Sequence, residues 1–234
     1  MANLEPLIQS IPVAPLKLAS LEGCRTLADQ VNNYLVSFRH ESPTNVGQAD
    51  SLQGYCADSY LLECECPRFG SGEGKGVLKE SVRGCDLFIM VDVTNYSLTY
   101  RVNGYENHMS PDNHYQDLKR IISAADGKAR RINVIMPFLY EGRQHKRSKR
   151  ESLDCALMLQ ELVDMGVSNI LTFDAHDPRV SNSIPLHGFD SFMPTYQFLK
   201  ALVNSVPDFV IDNDHLMIIS PDEGAMGRAV YSRR

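Results

Sequence analysis

The chain has no apolar run near the ~18 residues a membrane span requires, so a spanning helix is not expected. Its first fifteen residues lack a basic stretch and are broken by Pro6, Pro12 and Pro15, which argues against a secretory signal. There is no basic excess either. The formal net charge of −6 opposes a general nucleic-acid binder, so no nucleic-acid partner is expected. No Gly-x-Ser-x-Gly elbow occurs, so nothing suggests a serine hydrolase triad. The glycine-rich run Gly70-Ser-Gly-Glu-Gly-Lys-Gly76 is not a Walker A loop: the spacing is wrong and Lys75 precedes Gly rather than Ser or Thr. Cys64-Glu-Cys66 has no second cysteine pair at zinc-finger spacing. The six cysteines are scattered, and Cys85 and Cys155 fall in apolar or helical patterns, as buried thiols do. A reduced, cytoplasmic protein is the expectation.

What is present is the material of an ordinary globular chain, 234 residues at 43% hydrophobic and 22% charged. A helix is expected over Ser20 to Val36 with Ser20 as N-cap. The segment 42–76 is polar and glycine-rich and reads as an insertion or mobile loop, with a short strand at Ser59 to Cys64. From Val77 on, strands and helices alternate. Cys85 to Val91 and Ile132 to Phe138 have the near-continuous apolar character of strands covered on both faces. Thr94 to Glu106 reads as a hairpin turning at Asn103-Gly104. Asp112 is the expected cap of a helix running to Ala125, with Tyr115, Leu118, Ile121 and Ile122 on one face. A helix at Ser152 to Met165 closes on Gly166. A strand at Asn169 to Phe173, a helix at Pro194 to Asn204 and a strand at Leu216 to Ile219 complete the pattern. Such alternation specifies an α/β fold, a mainly parallel sheet with helices on both faces. After Gly224 a helix starts with no strand following it. Domain boundaries are therefore expected at 1–220 and 221–234, the latter the start of a second domain not present.

Ligands of such sheets bind where strands end. Three loops follow expected strands. Arg143-Gln-His-Lys-Arg-Ser-Lys-Arg150 places five Lys or Arg in eight positions, suited to polyphosphate or simply to solvent. Gln144 could read a base edge. Asp174-Ala-His176-Asp177 could hold a divalent ion or a phosphate, or make only local hydrogen bonds. In Ser220-Pro-Asp-Glu-Gly224, Asp222 could ligate Mg2+ or merely cap a helix.

In this order, the segments Glu80-Ser-Val-Arg-Gly-Cys-Asp-Leu-Phe-Ile89, Pro137 to Arg147, Leu171 to His176 and Ser220 to Gly224 resemble the ribose-phosphate pyrophosphokinase family. A weaker echo lies at Phe38 to Glu41. The resemblance implies a phosphoribosyltransferase-like domain with the 96–107 hairpin as an insertion, and assembly into homo-oligomers, dimers or hexamers. It implies transfer of the β,γ-diphosphoryl group of Mg-ATP to the 1-hydroxyl of ribose 5-phosphate, releasing AMP. Residue by residue, it implies that Arg143, Gln144 and Lys146 contact ATP. His176 would be catalytic and, with Asp222, would face Mg2+. Phe38 and Glu41 would help form the adenine pocket of a neighbouring subunit. The chain departs from the pattern at His145, where the family usually has an acid, and at Ala175. It also lacks the flexible catalytic loop and the ribose-phosphate loop expected after the Ser-Pro-Asp motif, which implies a fragment inactive alone. A non-catalytic nucleotide-binding or regulatory homologue is the alternative, and an unrelated nucleotide-binding α/β protein is a third reading.

Overall fold

The computed structural model describes residues 14–41, 54–207, 209–212 and 215–232. Half-polar Leu16–Ser20 forms β1, a 3-10 turn spans Glu22–Cys24, and α1 runs over Arg25–Glu41. Then come β2 (Leu61–Leu62), β3 (Cys64–Glu65), β4 (Val77–Leu78) and β5 (Asp86–Met90). Strands β6 (Thr99–Val102) and β7 (Tyr105–His108) precede α2 (Pro111–Ala124), β8 (Arg131–Ile135) and α3 (Asp154–Asp164). The remainder is β9 (Val167–Phe173), a second 3-10 turn (Pro178–Ser183), β10 (Gly188–Phe192), α4 (Thr195–Ser205) and α5 (Met226–Ser232). The main sheet has the order β10-β9-β8-β5-β1-β2, and β2, β1, β5, β8 and β9 pair in parallel.

Strand β5 shows why the sheet needs helices on both sides. Leu87 and Ile89 point into a core shared with Leu118, Ile121 and Ile122 of α2 and Leu159 and Leu162 of α3. Phe88 and Met90 alternate with them and meet Cys24 and Ala28 on the opposite face, under α1. The expected fold class is thus the one observed. Among the described residues, no helix is long and apolar enough to cross a membrane.

Several local expectations need correcting. Ser20 ends β1 instead of capping a helix, because its hydroxyl bonds to the Leu21 carbonyl. Ser110 caps α2, where Asp112 was expected. The Ser110 hydroxyl accepts from the Asn113 N–H, and the Asn113 side chain accepts from the Ser110 N–H, a reciprocal capping box. Residues 42–53 of the polar segment lie outside the described residues. Its remainder forms β2 and a β3–β4 ribbon tied by Phe69 N–H to Glu73 O and Lys75 N–H to Pro67 O. The hairpin expected at 94–106 forms with its strands at Thr99–Val102 and Tyr105–His108, and its turn is as expected: Asn103 (φ 50°) and Gly104 (φ 84°) supply the left-handed pair a two-residue turn requires.

The chain packs as two units, Met1–Ser191 and Phe192–Arg234, not divided at 220/221. In the second unit α4 buries none of its residues, and 216–219 is not a strand. An apolar run becomes a strand only by pairing, and this one has no ladder partner among the described residues.

All six cysteines are free thiols, and Cys24, Cys64, Cys85 and Cys155 are buried. Burial pushes the Cys24 and Cys66 thiols up to about 12 and those of Cys64 and Cys155 up to about 11. Because the folded state holds these thiols neutral, their contribution is complete below the unfolded thiol range. It is lost as pH rises, when the unfolded chain ionises first. Denaturant melts should therefore show stability falling above about pH 9. At pH 8 a disulfide reagent should modify Cys24, Cys64 and Cys155 only as fast as the protein opens; immediate reaction in the native state would contradict their burial.

Candidate functional site

Beyond β8 the chain turns through Met136–Gly142 and enters the basic loop. Tyr140 anchors the turn: its ring stacks on Tyr115 of α2 at 4.6 Å and its hydroxyl donates to Asp112 at 2.6 Å. Glu141 next to it has φ 55°, a left-handed conformation that is rare for a residue with a side chain. Burial, reinforced by Asp154 and Asp112, holds the Glu141 carboxyl above its ordinary range. Gln144 then closes the loop on itself, its Nε2 donating to the Ser152 carbonyl at 2.7 Å and the Lys146 carbonyl at 3.3 Å. Its amide nitrogen is thus committed to loop shape, which leaves only the carbonyl oxygen for a base edge.

Between these closure points the basic side chains project outward. Arg143, Lys146, Arg147, Lys149 and Arg150 are exposed and, among the described residues, none pairs with a carboxylate. Five like charges on a closed loop repel one another, so an anion binding there relieves repulsion as well as gaining attraction.

The second loop leaves β9, the neighbour of β8 in the sheet, so the loops start about one strand spacing (~4.8 Å) apart. Asp174 opens it with φ 44°. The Ala175 N–H is held by the Ser191 hydroxyl at 3.0 Å. Asp177 caps the following 3-10 turn through the Arg179 N–H at 2.9 Å and chelates the Arg179 guanidinium. That guanidinium holds the Asp177 carboxyl well below the usual carboxylate range. His176 is exposed, its ring edge-on to His145 with centroids 5.0 Å apart. His145 Nδ1 donates to the Arg143 carbonyl at 3.1 Å, and Nε2 lies 3.5 Å from Asp177 Oδ2. His145, where the chain departs from the family pattern, is the residue through which the loops touch. Sequence reasoning gave it no role; the Asp177-Pro-Arg179 turn signal beside it could have been read.

Two left-handed non-glycine residues at adjacent strand ends are local strain of the kind that gathers at sites. One further irregularity lies beneath them. The Thr172 hydroxyl is buried on β9 and lacks a hydrogen-bond partner among the described residues. An unmade buried hydrogen bond is costly, so Thr172→Val should raise the melting temperature, worth about 1 kcal/mol. A lower melting temperature would mean that the hydroxyl is satisfied, for example by a buried water.

Other expected site residues lie elsewhere. Helix α1 leaves the carboxyl end of β1 and spans about 25 Å at ~1.5 Å per residue. Its last turn bonds to the chain before β2, Arg39 to the Tyr55 carbonyl and His40 to that of Ala57. Phe38 and Glu41 are therefore at the amino-end edge of the sheet, away from both loops of this chain. Asp222 follows no strand and belongs to the second unit, where it accepts from the Ala225 N–H at 2.8 Å at the start of α5.

Residues 16–166 match the family model described as the N-terminal domain of ribose phosphate pyrophosphokinase. The chain belongs to the ribose-phosphate pyrophosphokinase family. It is 27% identical over 220 residues to the ribose-phosphate pyrophosphokinase of Corynebacterium ammoniagenes, covering 92% of this chain and 55% of the relative. To that of Staphylococcus epidermidis it is 28% identical over 173 residues, 72% of this chain and 48% of the relative. The chain thus spans about half the length of the curated relatives it matches. A crystal structure of phosphoribosylpyrophosphate synthetase from Mycobacterium smegmatis superposes with a TM-score of 0.68 at 20% identity. That superposition covers 93% of this chain and 60% of the other, a likeness of fold. In this pyrophosphokinase-family chain both loops just described follow strands of the shared α/β sheet.

Proposed function

We propose that this chain supplies the Mg-ATP-binding half of a ribose-phosphate pyrophosphokinase. In that reaction the 1-hydroxyl of ribose 5-phosphate attacks the β-phosphorus of ATP, the bond to the α-phosphate oxygen breaks, and AMP leaves. The observation that supports the reading is the pairing of unlike loops on adjacent strands: unpaired cations from 143–150 meet an exposed His176 through His145. Phosphoryl transfer asks a protein chiefly for positioning and charge neutralisation, and this arrangement offers both. Arg143 and Lys146 would hold the phosphates, with Arg147 and Lys149 adding to the field, and Gln144 would offer its carbonyl oxygen to the base.

Mg2+ arrives as part of the substrate. Among the described residues no group of three or more His, Cys, Asp or Glu side chains is arranged to hold a metal by itself. That suits Mg2+, which is usually held by phosphate oxygens, water and one or two protein groups. His176 would face that region, and Asp222 is the second candidate. In an oligomer, Phe38 and Glu41 would serve the adenine pocket of a neighbouring copy. The first test is a calorimetric titration of the chain with ATP. Saturable heat in Mg2+ that weakens at least about ten-fold in EDTA is expected. No saturable binding in either condition would reject the reading.

A further inference from the structure

The basic loop turns two side chains inward while its cations face solvent, and the two point to different places. Gln144 closes the loop on its own backbone at Lys146 and Ser152. His145 reaches out of the loop. Its side chain is only 13% exposed, although Arg143 and Lys146 around it are exposed residues. One edge of the ring is pinned to its own loop, Nδ1 donating to the Arg143 carbonyl at 3.1 Å. The other edge faces the loop after β9, with Nε2 3.5 Å from Asp177 Oδ2. The two ring nitrogens thus face oxygen acceptors from different loops. The same ring meets that of His176, their planes 65° apart.

Asp177 is the anchor on the far side of this contact. It holds the turn after His176 in two ways: its carboxylate accepts from the Arg179 N–H at 2.9 Å, and its carbonyl from the Val180 N–H at 3.2 Å. The Arg179 guanidinium first, and His145 after it, hold the Asp177 carboxyl below its ordinary range, so His145 adds attraction where the loops meet. A carboxylate in place of His145 would instead repel Asp177. His176 is exposed, so its place relative to the cations depends on what its loop rests against. At a reacting centre a misplacement of ~1 Å can cost about a hundred-fold in rate.

We propose that His145 is a positioning residue: it ties Asp177 to the basic loop and so sets where the His176 ring stands relative to phosphates held by Arg143 and Lys146. Its consequence for binding rests on the Mg-ATP reading, whereas the tie itself is a property of the free chain.

Two variants separate the tie from the filling of space. His145→Phe keeps a ring at the position and loses both nitrogens, whereas His145→Gln gives up the ring and keeps an amide donor for Asp177. Amide exchange followed by NMR in the nucleotide-free chain reads the tie. In His145→Phe the Arg179 and Val180 amides should exchange at least about ten-fold faster at an unchanged melting temperature. His145→Gln should return them to within about three-fold of the parent chain. Calorimetry reads the consequence. Mg-ATP should bind at least about ten-fold more weakly to His145→Phe, with its salt dependence kept, and should recover in His145→Gln. Accelerated exchange in His145→Phe together with no saturable Mg-ATP binding by the parent chain rejects the Mg-ATP reading alone. Unchanged exchange in His145→Phe overturns the positioning role. So does an Mg-ATP affinity that is unchanged in His145→Phe or equally reduced in both variants.

Discussion

Arg143→Ala or His176→Ala will weaken Mg-ATP binding about ten- to hundred-fold, equivalent to roughly 1.5–3 kcal/mol for one charge-assisted contact. Both side chains are exposed, so neither change should unfold the protein. The effects should differ in kind. Arg143 offers a fixed charge, and its loss should flatten the salt dependence of binding. His176 meets His145 only at a ring edge, so removing it leaves the basic loop closed by Gln144 and the unpaired cations in place. Its loss should therefore leave the salt dependence intact while reducing affinity. Calorimetry at two ionic strengths distinguishes the two, and unchanged affinity in both variants would reject the site.

Asp117→Ala will destabilise the protein by about 3–5 kcal/mol, the usual cost of stranding a buried charge. Asp117 lies on α2 with its side chain 6% exposed, bonded to both arms of Arg68 at 2.5 and 2.7 Å and to Arg120 at 2.6 Å. Burial alone would lower the Arg68 pKa, but the hydrogen bonds and charge of Asp117 hold it above its ordinary value. Without Asp117 the guanidinium remains against the Tyr100 ring, 5.3 Å from its centroid, with no carboxylate to neutralise it. For a chain of this size the melting temperature should drop by about 10 °C. The double replacement Arg68→Met with Asp117→Leu should recover most of that loss, because a buried pair adds little over well-packed apolar groups. Equal losses in the single and double variants would mean that the pair itself stabilises the fold.

Elements with strong periodicity could be read from the sequence. The nearly continuous apolar run from Cys85 to Val91 made β5 plain, and Tyr115, Leu118, Ile121 and Ile122 at helical spacing made the buried face of α2 plain. The misses share a cause, that local signals do not report partners. Ser20 reads as a cap because a helix lies just ahead, yet Leu18 and Ala19 pair with Leu61 and Leu62, making the segment a strand. Gly188–Phe192 contains a glycine and an aspartate, so β10 looks like loop although the edge of the sheet tolerates both. At the site, the basic loop and His176 could be seen as charges at strand ends. The committed Gln144 amide could not, since it depends on how the loop folds back on Lys146 and Ser152, nor could the contact through His145, which joins residues far apart in the chain. Phe38 and Glu41 stood out by a short echo, whereas their place is set by the length of α1.

Hydrogen exchange on the full chain, with and without Mg-ATP, tests the central claim most directly. Slowed exchange over 139–151 and 173–180 together is expected, with 21–25 and 64–68 unchanged. Protection confined to other segments, or none at saturating Mg-ATP, would contradict it.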